Sequence, residues 1–509
     1  MGKIKTAFKV AKVLGGVAGG ALAAVAGVAG ACAYNASKLE PASPQGAPLD
    51  AGGYHADDAA VERFREILRI PTVSRADEAE RDDAAFVQMA ETLRRLYPHV
   101  FAAFDEPLSF DTFGFLMRWR GSDPARTPVL LMAHHDVVPV DGQDWDYPPF
   151  EAEIHDGQIW ARGALDNKLC LCGCMEAFEL LASQGWQPPR DIWFFSSCGE
   201  EVRGTAAEEA AQWLNDHGIH PALVLDEGGA IATEVPLNVS EPVAMVGVSE
   251  KGYADLTVRA VAPGGHASAP SDNDATRLLV RAVERICANP GAPKLIAPVE
   301  AMLQELGARS SFAYRMVFGN MWLFRPVVEQ ILAGGEETGA MVRSTYALTQ
   351  LSGSTARNVL PPEATANINM RVAPFETVEE AVARARALAE QVAREAGMPG
   401  CITVEIADGV SQEPAPVSPH DDPTFDYVRR CVAGVYPEAG CTPYVQSSCS
   451  DARAMNEASE HVYRMAGYIY SKTARELIHA ANERIPVADY KRGLEFYVAF
   501  VSNLDKLDA

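Results

Sequence analysis

Basic residues are scarce in this chain. Lys plus Arg number 44 against 68 Asp plus Glu, giving a formal charge of −24 over 509 residues. A surface this acidic repels phosphate backbones, which argues against nucleic acid as a partner. Three catalytic signatures are also missing. There is no H-E-x-x-H, no G-x-S-x-G elbow and no G-x-x-x-x-G-K-[ST] loop, so helix-borne zinc, serine-nucleophile and phosphate-loop readings find no motif to rest on. No internal repeat is present, and no low-complexity tract beyond the N-terminus. Zinc-finger spacing is lacking too. Cys170, Cys172 and Cys174 recur at i, i+2, i+4, which reads as small buried thiols on a packed helix. Were the body exported, some of the ten cysteines could pair, but spacing does not give the connectivity.

Long uncharged runs are absent except for one. Lys3, Lys5, Lys9 and Lys12 precede Val13 to Ala33, a stretch of mostly Ala, Val and Gly. Its length suits the ~30 Å hydrocarbon layer of a bilayer, and the basic flank would stay cytoplasmic. The expectation is a single-pass membrane anchor (1–34) with the body outside the cytoplasm. The alternative is a secreted protein, since Ala31-Cys32-Ala33 resembles a signal-peptidase site. Pro41, Pro44, Pro48, Gly52 and Gly53 then mark 35–56 as a flexible linker, with the folded body starting near Asp57.

With 48% hydrophobic residues the body is an ordinary globular chain, long enough for more than one core. Short apolar runs at Val129–Ala133, Ile192–Phe195 and Pro221–Leu225 each lead into acidic residues, His or Ser, as buried strands do when a site lies at their ends. Further on, Tyr253–Val261, Asp274–Ala288, Ser344–Gln350, Ala364–Val372, Thr377–Ala396 and Ile402–Ile406 read as strand, helix, strand, strand, helix, strand. The fold expected is α/β: a catalytic domain in two parts (57–248 and 411–509) carrying an inserted α+β ferredoxin-like βαββαβ lid or dimerisation domain (249–410). Pro290–Met341 interrupts that insert. Phe, Met, Trp and Leu crowd Phe312–Leu332, which reads first as lid core and second as an acyl-chain groove, membrane contact or subunit contact.

The chemistry lies in acids and histidines at run ends. In an extended His134-His135-Asp136, residues i and i+2 share a face, so His134 and Asp136 point together and His135 points away. Asp166, Glu200-Glu201, Asp226 and His479 complete the set. Singly, each is an ordinary cap, surface acid or core histidine. Together, five carboxylates in one cleft would repel unless divalent cations neutralised them, and zinc accepts this mixture of nitrogen and oxygen donors.

These landmarks resemble the metallopeptidase family of carboxypeptidase S, carboxypeptidase G, aminoacylase and succinyl-diaminopimelate desuccinylase. The likeness runs from His134 to His479. Gly247-Val248-Ser249-Glu250-Lys251-Gly252-Tyr253, Asn358-Val359-Leu360-Pro361-Pro362-Glu363-Ala364 and Pro416-Val417-Ser418-Pro419 bring it nearest to carboxypeptidase S and N-fatty-acyl-amino-acid hydrolases. The resemblance implies two Zn2+ ions. Asp166 would bridge them, His134 and Asp226 would complete one, and Glu201 and His479 the other. Asp136 would orient His134 and Glu200 would be the general base. His266 would be a lid residue that helps hold the oxyanion and can come from a partner subunit, and Asn358 and Arg371 would bind substrate, Arg371 gripping its carboxylate. Ser447 to Arg453 resembles a Gly-rich loop carrying Thr-Asp, but here reads Ser448-Cys449-Ser450-Asp451 without glycine.

The expected function is metal-dependent hydrolysis of an amide beside a free carboxylate, in a small peptide or an N-acyl amino acid. A homodimer is left open. The contrasting reading is a non-catalytic, membrane-tethered binding protein of the same fold, against which Glu200 speaks, because binding alone needs no base.

Overall fold

The computed structural model describes residues 19–508. A mixed sheet forms the centre of the catalytic part. Val129–His134 runs parallel to both Ile192–Ser197 and Leu223–Asp226, and Val462–Arg464 continues the parallel set beyond Leu223–Asp226. Gly114–Trp119 closes one side antiparallel to Ile192–Ser197. Alternation explains the layering. Val129, Leu131 and Ala133 enter the larger core with Phe194 and Leu225, while Leu130 and Met132 enter a second core with Trp193, Phe195 and Val224. Strands buried on both faces need apolar residues at every position, which is why these segments read as unbroken runs. The larger core is covered by helices including Lys168–Ser183 and Val487–Ser502, the smaller by Ala206–Asp216. Cys170, Cys172 and Cys174 are buried in the first of these helices, and all ten cysteines are free thiols.

The insert has the expected order. Its four-stranded antiparallel sheet places Thr345–Ser352 beside Glu363–Val372, then Gly252–Val261, then Ile402–Gln412. One face alternates cleanly: Ala364, Ala366, Ile368, Met370 and Val372 are buried under helices Ala275–Ala288 and Val378–Glu395. Thr377 and Glu380 form a reciprocal capping box that starts the second helix.

Two expectations are corrected. Helices within 290–342 do not fill the core of the lid. They form a separate cluster, in which Leu303, Phe318, Met321 and Val328 pack with Val239, Val243 and Val445 at the edge of the catalytic sheet. One face of the helix Met321–Ala333 stays exposed at Trp322, Leu323, Val327 and Ile331. The second correction concerns the segment that follows the N-terminal span. Val13 to Ala33 lies partly outside the described residues, and among those described no helix is long and apolar enough to cross a membrane. The helix Gly19–Lys38 ends docked on the body: Asn320 Nδ2 donates to Cys32 O (2.9 Å), Asn35 Nδ2 donates to Asn320 Oδ1 (2.8 Å), and Ala36 is fully buried. The following segment is a strap rather than a free linker. Gln45 N donates to Asp426 at 3.0 Å, Leu49 N to Arg430 O at 2.9 Å, and Leu49 is buried in the main core.

Candidate metal centre

Strand ends and two turns assemble the site. His134 closes the Val129–His134 strand, and the alternation expected from the sequence is observed. His134 faces Asp166 (Nε2 to Oδ1, 3.0 Å) and Asp136 (Nδ1 to Oδ1, 3.3 Å), whereas His135 turns to Ser196 Oγ at 2.8 Å. Burial pushes the His135 imidazole down to about 3, so it is neutral. Asp136 is wholly buried and accepts from Glu200 N and Glu201 N, both at 3.2 Å. It thereby fixes the turn that carries both glutamates, while its Oδ1 faces His134 Nδ1. Burial opposes its ionisation, but its hydrogen bond and charge interaction with His134 outweigh burial and hold the carboxyl below the usual range.

Asp166 sits just before the helix Lys168–Ser183, which Asn167 caps at Cys170 N. Its second oxygen meets His479 Nε2 at 3.1 Å, and the same imidazole nitrogen lies 3.0 Å from Glu201 Oε2. His479 has φ 62, the left-handed region that a non-glycine residue adopts at a cost. Its carbonyl is held there by Gln143 Nε2 at 2.9 Å and Arg162 Nη2 at 3.3 Å.

Two groups of donors result, His134, Asp166 and Glu227, and Asp166, Glu201 and His479. Within each, all ligand atoms lie within 4.8 Å of one another. Asp166 belongs to both. Asp226, expected as a ligand from the sequence, is not in either group: its Oδ2 accepts from Ala452 N at 2.9 Å. Glu227, one residue on, stands there instead. Neighbouring residues on a strand point to opposite sides, and the chain leaves the strand Leu223–Asp226 at this point, so of the two neighbours it is Glu227 whose carboxylate lies with His134 and Asp166.

The electrostatics ask for a cation. Burial pushes the Glu200 carboxyl well above its usual value, and Asp451, Glu227 and Glu201 add to that; Glu227 and Glu201 are raised by burial and by Asp166. Two carboxylates ~4 Å apart repel by roughly 4 kcal/mol at an effective dielectric of about 20. Glu201 Oε1 is buried and has no hydrogen-bond partner. A buried carboxylate oxygen without a donor costs stability unless a metal takes the lone pair, so the residues present fit divalent ions.

Glu483, to which the sequence reading gave no role, is built into the frame of the site. It is fully buried and accepts from Leu165 N (2.6 Å), Asp166 N (3.1 Å) and Arg162 Nη1 (2.6 Å). It locks the Asp166 turn from the segment that carries His479. Asp451, in the loop that the sequence reading likened to a Thr-Asp loop, is bonded to Ser197 Oγ and pushed up to about 7 by burial and nearby Asp226.

The candidate substrate residues are spread more widely. Arg371 leaves the Glu363–Val372 strand, lies 4.9 Å over the Tyr253 ring, and donates from Nη1 to Cys449 Sγ at 3.2 Å. It therefore touches the catalytic part. His266 and Asn358 are exposed on a two-stranded ribbon, Gly265–His266 against Val359–Leu360, and their bonds to Ser268 and Ala267 stay within the insert.

This fold and this constellation define a metal-dependent hydrolase. Residues 130–503, well over half of the chain, match the model of peptidase family M20/M25/M40, and the chain belongs to that family. It is 31% identical over 452 residues to the N-fatty-acyl-amino acid synthase/hydrolase PM20D1 of Xenopus tropicalis, covering 87% of this chain and 86% of that protein. It is 29% identical over 475 residues to the probable carboxypeptidase S-like 2 of Dictyostelium discoideum, covering 92% and 89%. Among solved structures, the M20 family metallo-carboxypeptidase Sso-CP2 of Sulfolobus solfataricus superposes with a TM-score of 0.63 at 16% identity, over 88% of this chain and 99% of that one.

Proposed function

We propose that the chain hydrolyses the amide of an N-acyl amino acid, using two zinc ions that share Asp166. The observation that carries this reading is the pair of donor groups meeting at Asp166, with Glu201 Oε1 left bare. His134, Asp166 and Glu227 would hold one ion, and Asp166, Glu201 and His479 the other. Bound zinc acidifies water and polarises a carbonyl.

The chain's own residues do the rest. Glu200 takes the proton from the attacking water and returns it to the leaving nitrogen. Asp136 fixes the Glu200-Glu201 turn through two backbone amides, so the base stays oriented while its charge changes. Arg371, which has no carboxylate partner within its hydrogen bonds to Asn369 and Cys449, pairs with the carboxylate of the substrate. His266 supplies a donor to the oxyanion once the insert ribbon lies over the site.

The 31% match to an N-fatty-acyl-amino acid hydrolase supports the acyl substrate. The comparable coverage of a carboxypeptidase S-like protein favours a second reading, release of the C-terminal residue from short peptides. Amino-acid release from a panel of dipeptides and N-acyl amino acids separates them. The first reading expects higher kcat/KM on acyl substrates. A preference for dipeptides would replace it with the second.

A further inference from the structure

The insert joins the catalytic domain through a narrow neck. One connection is Glu250-Lys251-Gly252, where the strand Val243–Glu250 ends and Gly252–Val261 begins, and the other is Gln412 to Ala415. The two are bound together. Ala415 N donates to Glu250 O at 3.0 Å, Ser249 Oγ donates to Ala415 O at 2.7 Å, and Gln412 lies opposite Tyr253 in the sheet. The approach is so close that a Cβ on Gly252 would meet Gln412 O at 2.7 Å.

One catalytic-domain residue holds both connections. Arg453 Nε donates to Glu250 Oε1 at 2.9 Å and Nη2 to Lys251 O at 3.0 Å, while Nη1 donates to Gln412 Oε1. Three donor directions from one planar group meet three acceptors on two strands, a task that an ammonium on a flexible stem does not reproduce. Glu250 is fully buried, and Arg464 Nε also faces it at 3.4 Å, so its charge keeps a partner when Arg453 is replaced.

The loop that presents Arg453 touches both halves of the site. Ser450 Oγ donates to Glu250 Oε2 (3.2 Å), Ala452 N binds Asp226, Asp451 binds Ser197 Oγ, and Cys449 Sγ accepts from Arg371. We propose that Arg453 is a positioning residue that sets the orientation of the insert at its neck and so places Arg371 for the carboxylate of the substrate. This rests on the reading that Arg371 binds that carboxylate. A purely structural role would make Arg453 matter for folding and leave it uncoupled from Arg371.

The test is a double-mutant cycle on the full chain with an N-acyl amino acid as substrate, reading kcat, KM and bound zinc for Arg453→Lys, Arg371→Ala and both together. Arg371→Ala is expected to raise KM about tenfold or more, and Arg453→Lys about tenfold with zinc content unchanged. The double variant should match Arg371→Ala alone. Gln412→Ala, which removes one acceptor only, should raise KM about threefold and likewise have no effect once Arg371 is gone. Effects that multiply in the double variants, or a wild-type KM in both Arg453→Lys and Gln412→Ala, overturn the inference. An unchanged KM in Arg371→Ala overturns the carboxylate reading itself, and the inference with it.

Discussion

The two sides of the site are built in opposite ways. On the catalytic side the working groups are buried and braced: Asp136 is 0% exposed, Glu201 bonds an imidazole, and Glu483 locks the turn before Asp166. On the insert side His266 and Asn358 are exposed, and their bonds to Ser268 and Ala267 stay within the insert. Buried charge must be compensated in place, so a metal centre demands a rigid frame. Groups that meet the substrate from a lid can stay solvated until substrate and lid come together.

The largest effect should come from the buried side. Glu200→Gln keeps the shape of the turn and removes the base, so kcat should fall by about 10²- to 10⁴-fold with metal content unchanged. Kinetics alongside metal analysis check this, and unchanged turnover would remove Glu200 from the chemistry. Next in size is the contrast between neighbours. Glu227→Gln should lower bound zinc and cut activity, whereas Asp226→Asn should retain zinc, since Asp226 binds Ala452 N. Loss of zinc in Asp226→Asn alone would mean that the strand end turns the other way when metal binds.

Loading the site should also release protons. In the metal-free protein, hydrogen bonds to Asp166 and Glu201 push the His479 imidazole up to about 10. The sign follows: the ring is protonated at neutral pH, zinc must expel that proton, and affinity should keep rising with pH until about 10 instead of levelling near 6.5. Zinc titration calorimetry in two buffers of different ionisation heat reads the released protons, and a buffer-independent heat would contradict it. The smallest effects on turnover belong to the helices of 290–342, where the contrast is one of stability. Phe318→Ala, in the cluster against the catalytic sheet, should cost about 3–5 kcal/mol, and Ile331→Ser on the exposed face within about 0.5 kcal/mol. Urea unfolding of both variants checks the pair, and equal losses would place both residues in one packed layer.

Much of this was legible in the sequence because it follows from period and burial. Strand alternation put His134 and Asp136 on one side, and unbroken apolar runs marked the doubly buried strands of the catalytic sheet. The order of the six insert elements was readable too, each having its own periodicity. What escaped depends on long-range geometry. Glu227 joins His134 and Asp166 in one donor group, a placement at the end of a strand that alternation alone does not give. Glu483 carries no sequence signal of its own, and its place shows only once its segment is folded against Gly163–Asp166. The segment after the N-terminal span looked free by its Pro and Gly content, yet Leu49 enters the main core, and no local pattern announces such docking.

The central claim is that a metal pair held by His134, Asp166, Glu201, Glu227 and His479 drives amide hydrolysis. It is tested most directly by measuring amino-acid release from N-acyl amino acids and dipeptides together with bound zinc per chain, before chelation, after it, and after zinc is restored. The account predicts two zinc ions per chain, release abolished by the chelator, and recovery with zinc. Release that persists in metal-stripped protein, or two bound zinc ions with no turnover on any substrate of the panel, would contradict it.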